Sequence, residues 1–153
     1  MLETTTGLLL RPARHTDAAA LARTRAASLR EQGILREPDF AAFEHDAVRE
    51  LRERLAREEV SAWIALSDGA VVGAACIVFW RRLPYPETSL HGELAGVYVE
   101  PRFRRRGLAR ELCREAIATA RALGVRRISV HGSASARDLY VQLGFLPSGQ
   151  LRL

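Results

Sequence analysis

Between Leu94 and Gly124 the chain passes from an apolar run of strand length, through an arginine-rich turn, into a helical stripe. The run Leu94–Val99 stops at Glu100-Pro101, and the turn that follows is Arg102-Phe103-Arg104-Arg105-Arg106. From Gly107 a helix carries Leu108, Leu112, Ala116, Ile117, Ala120 and Leu123 on one face and ends at Gly124. A strand feeding directly into an amphipathic helix excludes an all-helical or all-β chain and demands a sheet for that helix to cover.

The remaining pattern supplies the sheet. Leu8-Leu9-Leu10 reads as a strand ending at Arg11-Pro12, and Thr16-Asp17 caps a helix striped by Leu21, Ala22 and Leu29 that Gly33 stops. Pro38 fits the first turn of a second helix carrying Phe40, Phe43, Ala47, Val48, Leu51 and Leu55. Ala62–Leu66 and Val71–Phe79 flank Ser67-Asp68-Gly69 as a hairpin. A proline-containing loop spans Arg81–Ser89, Ile128–Val130 is a brief strand, and Ala134–Leu143 reads as a helix stopped by Gly144-Phe145. The tail after Phe145 is expected to form a last strand. The order is therefore strand, two helices, three strands, helix, strand, helix, strand: a mixed α/β (α+β) fold in a single domain, 1–153, without repeats or linkers.

Composition narrows the setting. Apolar residues at 48% and charged residues at 27% are those of a folded globular chain. No apolar segment approaches the roughly 18 residues of a membrane span, and no secretory leader precedes the first strand, so no membrane partner is expected. Cys76 and Cys113 are too few for a disulfide scaffold and too far apart for a metal knuckle, so a reduced, cytoplasmic setting without a metal is expected. The net charge is +5, and all 23 basic residues are arginine. That charge fits an anionic partner (nucleic acid, a phosphorylated cofactor or an acidic substrate), or simply solvated helix faces.

Where arginines cluster is more telling. A helix N-terminus exposes unpaired N–H groups and the positive end of its dipole, which together bind phosphate. Gly107 lets the backbone approach an anion closely, Ala109 keeps the first turn uncrowded, and Arg104, Arg105 and Arg106 add charge at the same mouth. The motif is neither Gly-x-Gly-x-x-Gly nor a P-loop, since no lysine follows Gly107.

Arg104-x-x-Gly107-x-Ala109, following Val97-Tyr98-Val99-Glu100-Pro101, resembles the acetyl-CoA signature of the GCN5-related N-acetyltransferases, the GNAT superfamily. Leu139-Tyr140-Val141-Gln142-Leu143-Gly144-Phe145 is similar to that family's tyrosine and Leu-Gly-Phe ending, and the element order matches from Leu8 to about Leu153. The resemblance implies a splayed, mostly antiparallel sheet that holds acetyl-CoA between the strands at Leu94–Val99 and Ile128–Val130. It implies that Val97 and Val99 contact the pantetheine arm and that Arg104, Arg105, Arg106, Gly107, Leu108, Ala109 and Arg110 cradle the pyrophosphate. Ser133 stands where many members have an asparagine that touches the cofactor, followed by Ala136 and Tyr140. No metal is implied.

The same resemblance implies roles in transfer. Tyr140 would donate a proton to the leaving thiolate, and a backbone N–H where the strand bulges, near Val97 or Tyr98, would polarise the carbonyl. Glu93, eleven positions before Arg104, stands where glutamate is the base in the histone-acetylating branch; His91 and His131 are alternatives with a better intrinsic pKa. Cys113 lies inside a helical stripe and reads as a core thiol, which favours direct attack over an acyl-enzyme. Trp80, Tyr85, Phe40 or Phe43 are candidate walls of an acceptor pocket, and Arg14, Arg30, Arg36, Arg81 and Arg82 candidates to meet a carboxylate. The reading is an acetyl-CoA-dependent N-acetyltransferase acting on a small-molecule amine, with a homodimer as the family habit. The alternatives are acetylation of a protein N-terminus or lysine, and a non-catalytic nucleic-acid-binding domain using Arg102–Arg106 and Arg126-Arg127.

Overall fold

The computed structural model describes residues 1–4 and 7–153. Its elements are β1 (Leu2–Glu3), β2 (Leu9–Pro12), α1 (Ala18–Glu31), α2 (Phe40–Ala56), β3 (Val60–Ser67), β4 (Ala70–Arg81), β5 (Leu90–Val99), α3 (Leu108–Ala122), β6 (Arg127–Val130) and α4 (Arg137–Gln142). The strands form one sheet in the order β1-β2-β3-β4-β5-β6. Every pairing is antiparallel except β5 with β6. The expected mixed, mostly antiparallel sheet flanked by helices is what the chain forms.

Local chemistry explains the joins. The β3–β4 hairpin turns on Asp68-Gly69 with φ of 49° and 78°, both left-handed, as a two-residue turn matching strand twist requires. One face of the sheet packs on α3, with Leu10, Val72, Ile77 and Leu94 meeting the fully buried Leu112, Cys113 and Ala116. On the other face Leu21 of α1 meets Ile64 and Ala74, with Leu51 and Leu55 of α2 packed behind. Gly73 permits the close approach of α3, because a Cβ there would lie 3.1 Å from Leu112 Cδ1 and 3.2 Å from Tyr98 O. The indole Nε1 of Trp63 donates to Thr119 Oγ1 at 2.8 Å and ties β3 to the same helix.

Two features of β5 position the site. Cys76 pairs with Ala95 but Ala74 with Tyr98, so Gly96 and Val97 oppose Ala75 alone, and Gly96 takes φ of 61° at this bulge. Meanwhile β6 pairs with β5 only from His91↔Arg127 to Leu94↔Val130 and then leaves it. Among the described residues, no strand pairs with that edge of β5 beyond Leu94.

Three differences from the expected elements have physical causes. β5 begins at Leu90 rather than Leu94, because polar His91 and Glu93 break the apolar run, alternating with Gly92 and Leu94, which face the α3 core. β1 pairs through two residues only, too short to read from an apolar pattern. The expected last strand is absent: residues 143–153 carry no strand, Pro147 and Gly149 interrupt the tail, and Leu146, Leu151 and Leu153 are exposed.

The core also sets an alkaline limit. Burial pushes the Cys113 thiol up from 9.0 to about 12 and the Tyr140 phenol up from 10.0 to about 12. Both folded values lie above the unfolded ones, so this stabilisation is complete below pH 9 and is lost as pH rises through 12. With no lysine to titrate in that window, the melting temperature should hold up to about pH 9 and fall above it. Scanning calorimetry of Tyr140→Phe and Cys113→Ala should show a shallower fall in each.

Candidate active site

The loop that joins β5 to α3 is shaped by backbone geometry. Glu100 N–H donates to Val72 O at 2.9 Å, so Tyr98 and Glu100 face β4. Strand alternation then turns the N–H and C=O groups of Val97 and Val99 to the unpaired edge. After a 3-10 turn at Pro101–Phe103, Arg105 and Gly107 adopt φ of 63° and 79°, and Gly107 heads α3 with no side chain capping it. The first amides of a 15-residue helix thus point into an open notch. A cavity of about 440 Å³ lies there, bounded by Phe103, Gly107, Ala109 and Leu139. A Cβ at Gly107 would meet nothing within 4 Å, so a side chain there would project into space that is free.

The arginines divide into two kinds. Arg104 Nε donates to Val99 O at 2.7 Å, its Nη2 to Glu31 Oε1 at 2.7 Å, and its guanidinium lies 5.6 Å from the Tyr98 ring centroid. Its side chain is committed to fastening the loop to β5 and α1. Arg110 Nη2 donates to Gln142 Oε1, joining α3 to α4. Arg105 and Arg106 are exposed and, among the described residues, in no ion pair. Of the arginines expected to cradle phosphate, these two keep their guanidinium groups available. The residues present fit a diphosphate: uncapped amides, a glycine at positive φ, free cations and an unpaired strand edge.

Farther along the parted strands lie the titratable candidates. Tyr140 is 9% exposed, edge-on to Phe145 at 5.9 Å, and packed in the core cluster beneath α3. Among the described residues its hydroxyl has no hydrogen-bond partner. Its ring lies on the backbone of Gly132, where a Cβ would fall 2.5 Å from Cε2. Sequence reading missed Gly132; its only trace is a lone glycine between a strand and a helix cap. Ser133 starts the turn before α4, its Oγ 2.9 Å from Ser135 Oγ, and Ala136 packs partly buried nearby.

Glu93 faces away from Leu94 and from the α3 core. Its Oε1 lies 2.8 Å from His131 Nδ1, both side chains about one-third exposed. Two residues proposed as alternatives therefore form one unit. With the proton on Nδ1 held by the carboxylate, Nε2 keeps its lone pair. His91 is different. It is 9% exposed, stacked on Trp80 at 4.6 Å, with Nε2 3.3 Å from Ser129 Oγ and Nδ1 buried without a partner. Burial, and then the nearby Arg82, hold its pKa below the ordinary value, so it is a neutral packing residue. Tyr140 and the Glu93–His131 pair thus occupy opposite faces of the sheet where it opens.

The acceptor candidates also separate. Arg30 is paired with Glu37 at 3.1 Å and sits over Phe40, while Arg14 and Arg81 line one groove with His15, Leu55 and Trp80. Arg82 lies over both Trp80 and Tyr85, and Arg127, not among the acceptor candidates, lies over Tyr85 as well.

A model of the acetyltransferase (GNAT) family matches residues 30–145, and the chain belongs to that family. An amino-acid acetyltransferase of Azotobacter vinelandii is 36% identical over 126 residues, 82% of this chain and 24% of that protein. The chain therefore spans about a quarter of that relative's length. Among solved structures, a GCN5-related N-acetyltransferase from Ralstonia eutropha superposes with a TM-score of 0.85 at 25% identity, covering 96% of this chain and 97% of that one. A predicted acetyltransferase from Clostridium acetobutylicum, solved with acetyl-CoA, shares the fold with a TM-score of 0.86 at 24% identity, covering 95% of each chain.

The contact between Gly132 and the Tyr140 ring generates a test. Gly132→Ala should displace the phenol and lower kcat by roughly tenfold or more, with acetyl-CoA affinity little changed. The added methyl should cost the Tyr140→Phe variant much less of its remaining kcat, a coupling that general destabilisation would not produce.

Proposed function

We propose that the chain is an acetyl-CoA-dependent N-acetyltransferase that acetylates the primary amine of a small molecule by direct attack within a ternary complex. The observation that carries this reading is the alignment of three parts: the uncapped notch at Gly107, the unpaired edge at Val97 and Val99, and Tyr140 at the end of that path. The likeness to an amino-acid acetyltransferase favours a small amine over a protein substrate.

The residues act as follows. Bound acetyl-CoA would supply the activated thioester. The amides after Gly107, with Arg105 and Arg106, hold the diphosphate, and the backbone of Val97 and Val99 pairs with the extended arm like an added strand. The bulge at Gly96 directs the Val97 N–H to the open edge, where it polarises the carbonyl oxygen. An alkylammonium has a pKa of about 10.4, so only about one in a thousand is neutral at pH 7. His131 Nε2, its ring oriented by Glu93, takes the proton from the amine. Tyr140, its pKa pushed up to about 12, stays protonated at every working pH and supplies a proton to the leaving sulfur. An acyl-enzyme has no nucleophile to form on: Cys113 is fully buried with a thiol pushed up to about 12, and Cys76 is pushed up to about 11.

The arginines also argue against an extended nucleic-acid stripe. Arg102 is turned to Glu100 and Phe103, and Arg104 to Val99 and Glu31.

Acetyl-CoA at about a hundred times its Kd should raise the melting temperature by roughly 5–10 °C, and Gly107→Asp should abolish that shift through bulk and charge. A native protein whose melting point does not move would remove the assignment. Tyr140→Phe should lower kcat by about a hundredfold while coenzyme affinity changes little; unchanged turnover would remove the acid role.

A further inference from the structure

The face of the sheet that carries Glu93 has a second polar row. In the strand register Trp80, His91 and Arg127 lie side by side on β4, β5 and β6, and two residues farther along Val78, Glu93 and Ser129 do the same. Two residues of strand are about 6.5 Å. At the first row the Arg127 Nη2 donates to the Tyr85 hydroxyl at 2.9 Å, and its guanidinium lies 4.9 Å from the Tyr85 ring centroid. Arg82 approaches the same ring at 5.5 Å and the Trp80 ring at 5.9 Å. Among the described residues neither arginine has a carboxylate partner.

Two cations gathered on one tyrosine repel each other, and among the described residues neither is neutralised by a paired carboxylate. These contacts hold both guanidinium groups near the Tyr85 ring and leave several N–H donors on each for a ligand. The neighbouring His91 is neutral and adds no negative charge. Beside the pair that accepts the amine proton there is thus a cationic cluster suited to an anion.

We propose that Arg127 and Arg82, docked on Tyr85, bind the anionic group of the acceptor, a carboxylate or a phosphate, while its amine reaches the Glu93–His131 pair. This deepens the acetyltransferase reading and rests on it. Glu93 lies one row from Arg127 and His131 beyond that row, so the acceptor is an amine joined to its anion by a chain of several atoms, an ω-amino acid or an aminoalkyl phosphate. A single carbon, as in glycine, does not span that separation.

The experiment measures thiol release from acetyl-CoA with pentylamine, 5-aminopentanoate, 3-aminopropyl phosphate and glycine. At least one of the longer anionic amines should exceed pentylamine in kcat/KM by roughly ten- to a hundredfold, the effect of charge-assisted hydrogen bonds. Which of the two leads distinguishes carboxylate from phosphate. Arg127→Gln and Arg82→Gln should each bring that ratio down by about tenfold, through KM, while Arg49→Ala on the exposed face of α2 should leave the ratio unchanged. A native ratio near one, a ratio indifferent to Arg127→Gln, or a preference for glycine would overturn the proposal. Titration calorimetry with the leading anionic amine separates the two levels of inference. If acetyl-CoA neither stabilises the protein nor releases thiol, the transferase reading fails, and binding that disappears in Arg127→Gln still establishes the anion site. Absence of binding to native protein overturns that site as well.

Discussion

The brevity of the β5–β6 pairing organises the molecule. β6 is hydrogen-bonded to β5 over four register pairs and then departs, while the bulge at Gly96 turns β5 along a new line. A parallel pair maintained to Val99 would have satisfied every backbone group and left no site. Because it stops, β6 gives the edge at Val97 and Val99 no ladder partner, and of these groups the Val99 carbonyl is met by Arg104 Nε at 2.7 Å. The same parting separates β5 from β6 beyond Leu94. Tyr140 stands on the α3 side and the Glu93–His131 pair on the other, and in the proposed mechanism thioester and amine approach from these opposite sides.

Holding that opening in place takes a good part of the chain's arginine. Arg104 closes the carbonyl of Val99, covers Tyr98 and reaches Glu31 at the end of α1, so the loop ahead of α3 is tied to both neighbours. Arg110 links α3 to α4 through Gln142, which fixes the helix that bears Tyr140. These contacts are partly exposed, and each contributes on the order of 1 kcal/mol or less; their value is geometric. Among the described residues Arg105, Arg106, Arg82 and Arg127 are in no ion pair, and in the proposed mechanism they meet the anionic ends of donor and acceptor.

Much of this was legible in the amino-acid order, and the reasons differ from place to place. The apolar stripe of α3 between Gly107 and Gly124, and the Asp68-Gly69 turn, are local signals, so their elements appear where expected. The strand, turn and glycine-headed helix that build the notch are also contiguous, which is why its backbone could be anticipated. Pairings across the sheet could not. Glu93 and His131 are 38 residues apart and meet only through the parallel register of β5 with β6. Arg104 reaches Glu31 over 73 residues, which turned an expected phosphate ligand into a brace. The role of Gly132 exists only once α4 folds back to lay Tyr140 on it. The tail beyond Phe145, expected from the element order to add a last strand, is interrupted by Pro147 and Gly149 and forms none.

What the notch at Gly107 holds decides the chemistry of the site, and the most direct measurement is a crystal structure of the protein grown with coenzyme A. It should show diphosphate oxygens about 3 Å from the amide nitrogens that begin α3, the arm running beside Val97 and Val99, and the sulfur next to the Tyr140 hydroxyl. A coenzyme bound elsewhere, or a notch filled by one of the chain's own guanidinium groups, would contradict it.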